Sequence, residues 1–457
     1  MEGDEYADFL LNYQQQMNNF VLQTGIALAV TLSNQNTKNR SVGVHEINKK
    51  RNEKGFYHNL YQELRVHPQR FFKFFRMSVK QFDFLCELIR PHLVQKDVFT
   101  HRPFPTDMRV AVTLRFLAAG DSTHTLACAF RIGDSTCRQI VAETCAAITS
   151  ALMPQYIKAP TKEEYKVIAK EFEDRWNLPN CIGAVDGKHV VMKCPPNSGS
   201  TFFNYKKQFS VNLFAVCDAN YCFTIAEVGY VGVLSDAGVF RLSPFGQSIL
   251  NETHPIPEAG LLPKAKNDQN CNFFFVGDEA FGLRTDFLIP YGKGLLSVED
   301  ELLSYERRVF NYRLSRARRV IENTFGILAA RWRIFHRTIE AHPENACLFV
   351  QACVCLHNFL MKTKERSGVR VPPGYFGDVY KRGELSVPGA WRKSIEGSKL
   401  VDLPMRSSRT PITEARVQRD MLARYLTYDY ALPYQEKYVN RGVQRAEEAL
   451  KTVASRK

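Results

Sequence analysis

CIGAVDGKHVVMKCP, residues 181–195, is the stretch on which the fold turns. Small and β-branched residues surround Asp186 and Gly187, which reads as extended chain. Two accounts compete for the carboxylate in its middle. Asp-Gly between apolar runs is a two-residue hairpin signal. Alternatively, residues 181–191 form one long central strand on which Asp186 is a metal ligand. The rest of the chain has to decide.

Working outward, FSVNLFAVCDA (209–219) and FTIAEVGYVG (223–232) are two further strand-like segments, separated by Asn, Asp and Gly. SDAGVFRLSPFGQSIL (235–250) can open a helix, and NFFFVGDEAF (272–281) is an apolar strand ending in acids. Helical spacing then runs over about 297–335 and again over 344–362. Three strands, a helix, a strand and long helices make an α/β protein, a sheet layered with helices.

Upstream, residues 43–155 are helical in pattern. RFFKFFRMSVKQFDFLCELIRPHL (70–93) has apolar residues three and four apart and stops near Pro91. The next helix ends at Gly120, and Asp121, Ser122 or Thr123 can cap a short second one. After the turn RIGD, Ser135 or Thr136 can open a third. Leu126, Ala127, Phe130, Ile132, Cys137 and Ile140 are spaced like the core of a helix-turn-helix, with Arg138 and Gln139 as base-reading candidates. An ordinary helical bundle shows the same spacing. The division expected is an arm over 1–42, a helix-turn-helix-like domain over 43–155, a catalytic domain over 156–363 and a tail over 364–457. The Pro-, Gly-, Ser- and Arg-rich tail carries no catalytic pattern and reads as wrapping the core or holding a partner.

The net charge is +14, with 45% apolar residues and twelve scattered cysteines in 457 residues. This favours a soluble, reduced, intracellular protein with a polyanionic partner, nucleic acid first. The acidic start MEGDEYADF does not resemble a secretory signal. The apolar run 20–32 is shorter than a membrane span of about 20 residues, so a docking helix and no membrane are expected.

Three acids stand out because their surroundings make charge expensive: Asp186 within a strand, Asp278 after FFFVG, and Glu322 in RVIENTFGIL. Converging carboxylates suit Mg²⁺ or Mn²⁺ and two-metal phosphodiester chemistry. Asp236 is a fourth candidate, equally readable as a helix cap. Each has a bland alternative, and Glu322 could simply pair with Arg318 or Arg319 along its helix. Between Ser304 and Phe335 there are eight arginines against two glutamates. That bias suggests phosphate contacts by Arg313, Arg316, Arg318 and Arg319, with Lys188, Lys206 and Lys207 adding to a DNA path. CVCLH (353–357) invites a zinc reading but lacks a second ligand pair.

GAVDGKHV (183–190), VGDEAFGL (276–283), NYRLSRARRVIENTFGILAARWRIF (311–335) and CLHNFL (355–360) resemble the blocks of PIF/Harbinger-type DDE transposases. The resemblance reaches upstream through VHEINKKRNEKGFYHNLYQEL and downstream to VPGAWR, RDMLARYL and LPYQ, covering about 43–436. It implies a ribonuclease-H-like nuclease core, with Asp186 and Asp278 as the aspartates, Glu322 as the glutamate and Asp236 as an additional ligand. It also implies Mg²⁺ or Mn²⁺, DNA cleavage and strand transfer, nuclear action beside a Myb-like DNA-binding protein, and multimers of the chain. A domesticated module that binds DNA or chromatin proteins without cutting is the competing expectation.

Overall fold

The computed structural model describes residues 44–93, 104–266, 269–296, 301–368, 371–381, 384–403 and 413–440. The expected arm over 1–42, with its apolar run, lies outside them. No helix among the described residues is long and apolar enough to cross a membrane.

The segment quoted first is a single strand, β1 (Cys181–Val191), so the hairpin account fails. β2 (Ser210–Cys217) and β3 (Phe223–Val231) follow antiparallel, with Asp186 opposite Ala215 on β2. β4 (Phe274–Val276) and β5 (Phe287–Leu288) lie on the other side, parallel to β1 and to each other. The strand order is β3-β2-β1-β4-β5. β1 and β2 are buried almost throughout, which is why their sequences read as continuous rather than alternating apolar runs.

The helices flank this mixed sheet. RFFKFFRMSVKQFDFLCELI is two helices rather than one, α1 (Pro68–Phe75) and α2 (Val79–Ile89). Arg76 takes a left-handed conformation (φ 64°) that ends α1, and Ser78 with Gln81 forms a capping box that starts α2. α3 (Thr106–Ala119) ends at left-handed Gly120. α4 (Thr123–Phe130) is capped by Ser122, and α5 (Asp134–Tyr156) follows a three-residue turn. In α5, Arg138 is paired with Asp134 and Gln139 with Glu143, so both side chains expected to read bases are engaged within their own helix.

α6 (Lys162–Trp176) precedes the sheet. SDAGVFRLSPFGQSIL forms α7 (Asp236–Leu242) and α8 (Pro244–Leu250), parted at Ser243 by the proline that begins α8. α9 (Glu301–Arg331) crosses β1, and α10 (Pro343–Lys362) packs on both α5 and β3. Asn358 stitches that junction: its amide bonds both backbone groups of Phe223 and the carbonyl of Tyr156. His357 donates to Tyr221 O at 2.7 Å, so CVCLH is buried stitching. The apolar core runs unbroken from the first helices through the sheet to α11 (Thr413–Tyr428), which packs along α9.

Candidate active site

β1 meets two partners along one edge. β4 pairs with Cys181–Ala184, and a strand from the tail, β6 (Leu400–Asp402), pairs antiparallel with Lys188–Val190. Asp186 and Gly187 lie between them. Side chains at 186 and 188 share a face, and Lys188 Nζ donates to Asp186 Oδ2 at 2.8 Å. On the opposite face His189 is fully buried against Ser210, and burial lowers its imidazole to about 4.

Asp236 is the first residue of α7. The cap position belongs to Ser235, whose side chain makes no capping bond, so the cap reading of Asp236 fails. Asp236 is 1% exposed, and its Oδ1 has no hydrogen-bond partner among the described residues. A Cβ at residue 187 would collide with that oxygen, so glycine there lets α7 bring Asp236 onto the backbone of β1. Burial first, then Asp186 and Asp278, push the Asp236 carboxyl up to about 9, with Lys188 opposing.

Asp278 leaves the end of β4. Its Oδ1 accepts from the backbone of Ala280 at 2.9 Å. Burial raises its carboxyl; the Ala280 N–H opposes this, Asp186 adds to it, and Arg318 and Lys188 oppose it. Asp186, Asp236 and Asp278 therefore share one electrostatic neighbourhood. The Glu322 carboxylate is engaged by Arg318 at 3.0 Å, one turn back on α9. Arg318 is the side chain of that pair that acts on Asp278.

One acid was not expected. Asp402, opposite Lys188 on β6, is ion-paired with Lys188. Against burial, Lys188, then Lys206 and Arg318, hold the Asp402 carboxyl below its usual range. Against burial of its own, Lys188 is held above its usual value by Asp186 and Asp402. The only sequence signal was the short apolar run before Asp402 in an otherwise irregular tail.

The expected DNA path divides. Lys206 and Lys207 are exposed in the turn before β2, and Arg319 is exposed on α9. Arg313 is fully buried, bonded to the carbonyls of Asn177 and Tyr430 and to Gln435. Arg316 is 5% exposed among the rings of Tyr312, Tyr380 and Tyr434. Both anchor the C-terminal segment to α9, and neither presents a guanidinium to DNA.

Residues 185–358 match the family model described as DDE superfamily endonuclease. This match and the relatives below support kinship with the Harbinger-derived DDE family. It is 27% identical to "Protein ALP1-like" of Arabidopsis thaliana, over 66% of this chain and 72% of that protein. It is 26% identical to "Antagonist of like heterochromatin protein 1" of the same plant, over 63% and 72%. The human protein named "Putative nuclease HARBI1" is 25% identical over 61% and 74%. No solved structure matches. The family segment contains Asp186, Asp236, Asp278 and Glu322 and stops before Asp402.

The family's divalent cation is tested by the donors present. Three buried or half-buried carboxylates, one with an unpartnered oxygen, supply hard oxygen ligands and more negative charge than Lys188 and Arg318 offset. In chemistry they fit Mg²⁺ or Mn²⁺. In side-chain placement they are not closed up: among the described residues no three His, Cys, Asp or Glu side chains stand in metal-holding geometry. Asp186 and Glu322 are instead engaged by Lys188 and Arg318.

Proposed function

We propose that this chain is a divalent-metal-dependent DNA endonuclease and strand-transferase built on a ribonuclease-H-like core. The supporting observation is Asp236: a buried carboxylate with an oxygen unpartnered among the described residues, set against β1 beside Asp186 and raised by burial, then by Asp186 and Asp278. A charge so placed needs a cation. Mg²⁺ or Mn²⁺ would be held by Asp186, Asp236 and Asp278, with Glu322 joining once it leaves Arg318. Such ions neutralise developing charge on phosphate oxygens and acidify bound water.

The chain's own residues do the rest. Lys188, displaced from Asp186, stays tethered to Asp402 and within reach of a phosphate oxygen. Arg318, released from Glu322, faces the same charge. Lys206, Lys207 and Arg319 carry the DNA backbone outward, and α4–α5 makes a helix-turn-helix-like second contact. Because Arg138 and Gln139 are engaged within α5, site choice falls to a separate Myb-like DNA-binding partner, acting in the nucleus with a multimer of this chain.

The second reading, a module that binds DNA or chromatin proteins without cutting, draws on the two internal ion pairs, which engage Asp186 and Glu322 without metal. Cleavage of supercoiled and linear DNA with Mg²⁺ or Mn²⁺ separates the two. Metal-dependent nicking should fall at least about a hundredfold in Asp186→Asn, the scale of losing one preorganised charge stabiliser. DNA binding without nicking in the wild type would leave the second reading.

A further inference from the structure

At the far end of α9 the sign of the charge reverses. A cavity of about 340 Å³ opens between the end of α1, the end of α3 and the 3-10 turn Arg333–His336 that follows α9. Its charged lining is Arg76, Arg115, Arg333, Arg337 and His336, with Asp121 the one carboxylate among the described residues. Asp121 pairs with Arg115 at 3.2 Å, and the Arg115 guanidinium also lies 4.2 Å over the Phe74 ring. That leaves three arginines, Arg76, Arg333 and Arg337, with no ion-pair partner among the described residues.

Arg76 makes the cavity more than a patch of surface charge. It occupies the left-handed position ending α1, where glycine or asparagine is the inexpensive choice. Its Nε is buried with no hydrogen-bond partner among the described residues, and so is Nε2 of His336. Burial lowers the Arg76 guanidinium from its ordinary value; Tyr375 opposes this, and Arg333, Arg115 and Arg331 add to it. Like charges have thus been gathered with the buried Arg76 N–H left over. Gly120 permits the approach: a Cβ there would press on Arg333 O at 3.0 Å and Arg337 Cδ at 3.3 Å.

We infer that this cavity is a binding site for a small anion carrying two or more phosphate groups. All of its unpaired cations are arginines, whose planar forks match phosphate oxygens bidentately, as a lysine ammonium does not. Three such forks call for more than the single charge of a phosphodiester. The volume lies in the range of about 300–1,000 Å³ usual for ligand sites, and a concave site admits a compact anion more readily than a duplex. The site is separate from the acid cluster and does not depend on cleavage activity.

Calorimetric titration of the full chain with inorganic tripolyphosphate, against sodium sulfate at equal ionic strength, tests this. Tripolyphosphate should bind saturably, one per chain, with sulfate much weaker. Arg333→Gln/Arg337→Gln, which alters two exposed side chains and spares the fold, should weaken binding about tenfold or more. Lys166→Gln, on the surface of α6, should leave it unchanged. Absence of saturable binding, or equal affinity in the double variant, would overturn the site. Competition with a fluorescent DNA duplex supplies the second arm. No displacement upholds the small anion. Displacement, with duplex binding lost in the same double variant, would give the cavity to the DNA backbone and overturn the small-anion assignment.

Discussion

Asp236 and Asp378 lie almost equally deep, 1% and 5% exposed, yet their surroundings treat them in opposite ways. Asp378 precedes the hairpin Val379–Lys381/Glu384–Val387 and is saturated. Its Oδ1 accepts from Gly389 N at 2.7 Å and Arg392 Nε at 3.0 Å. Its Oδ2 accepts from Asn323 at 3.1 Å and again from Arg392. Asp236 has an oxygen with no partner among the described residues, and other carboxylates for neighbours. A buried charge that a fold uses to hold itself together is given donors and a cation. One left short of them is held in reserve for something else. α9 serves both: Asn323 binds Asp378, while the adjacent Glu322 waits on Arg318.

Removing each carboxylate should therefore change stability in opposite directions. Asp378→Ala strands the Gly389 N–H and the Asn323 amide and frees Arg392, which should cost about 3–4 kcal/mol. The urea midpoint would fall with little change in slope. A loss under about 0.5 kcal/mol would erase the contrast. Asp236→Asn removes a carboxyl that burial and its acidic neighbours force to take up a proton on folding at pH 8, and should stabilise the chain in EDTA by roughly 2–3 kcal/mol. With Mn²⁺ the order should invert, because the wild type gains a thermal shift that the variant lacks. Destabilisation of Asp236→Asn in EDTA would mean that its oxygen is satisfied after all.

Much of this contrast was legible in the sequence, unevenly. Asp186 and Asp278 were visible because each interrupts or ends an apolar segment that has to be buried, and burial makes a charge conspicuous; Asp236 stood out less, being equally readable as a helix cap. Asp402 was not visible. Its strand is three residues long, carries no periodicity of its own, and exists only through pairing with a strand more than two hundred residues away. The arginines of α9 misled for a related reason. A run rich in one charge reads as a phosphate-binding face, but helical spacing alone does not say which arginines the tail will cover, and Arg313 and Arg316 are covered. The break at Arg76 was hidden because the hydrophobic spacing of α1 and α2 continues across it. Asp378 gave no sign at all, since a saturated carboxylate differs from an exposed one only in its distant partners.

Glu227 on β3 falls between the two extremes and sets the finest test. It is 2% exposed and has donors but no cation among the described residues: Oε1 accepts from Phe245 N at 3.1 Å and Oε2 from Tyr230 Oη at 2.7 Å. Burial outweighs both and pushes its carboxyl up to about 7 from an ordinary 4.5. The folded chain therefore holds this proton more tightly than the unfolded chain. The stability it contributes is complete below the ordinary value and is lost as pH rises through about 7. Glu227→Gln keeps an acceptor for Phe245 and removes the titration. The variant should gain on the wild type by roughly 1–2 kcal/mol between pH 5 and pH 8, read as converging then crossing melting temperatures. If the two profiles stay parallel across that window, two neutral donors suffice to hold a buried carboxylate, and an unpartnered oxygen of the Asp236 kind becomes the sole mark of a site.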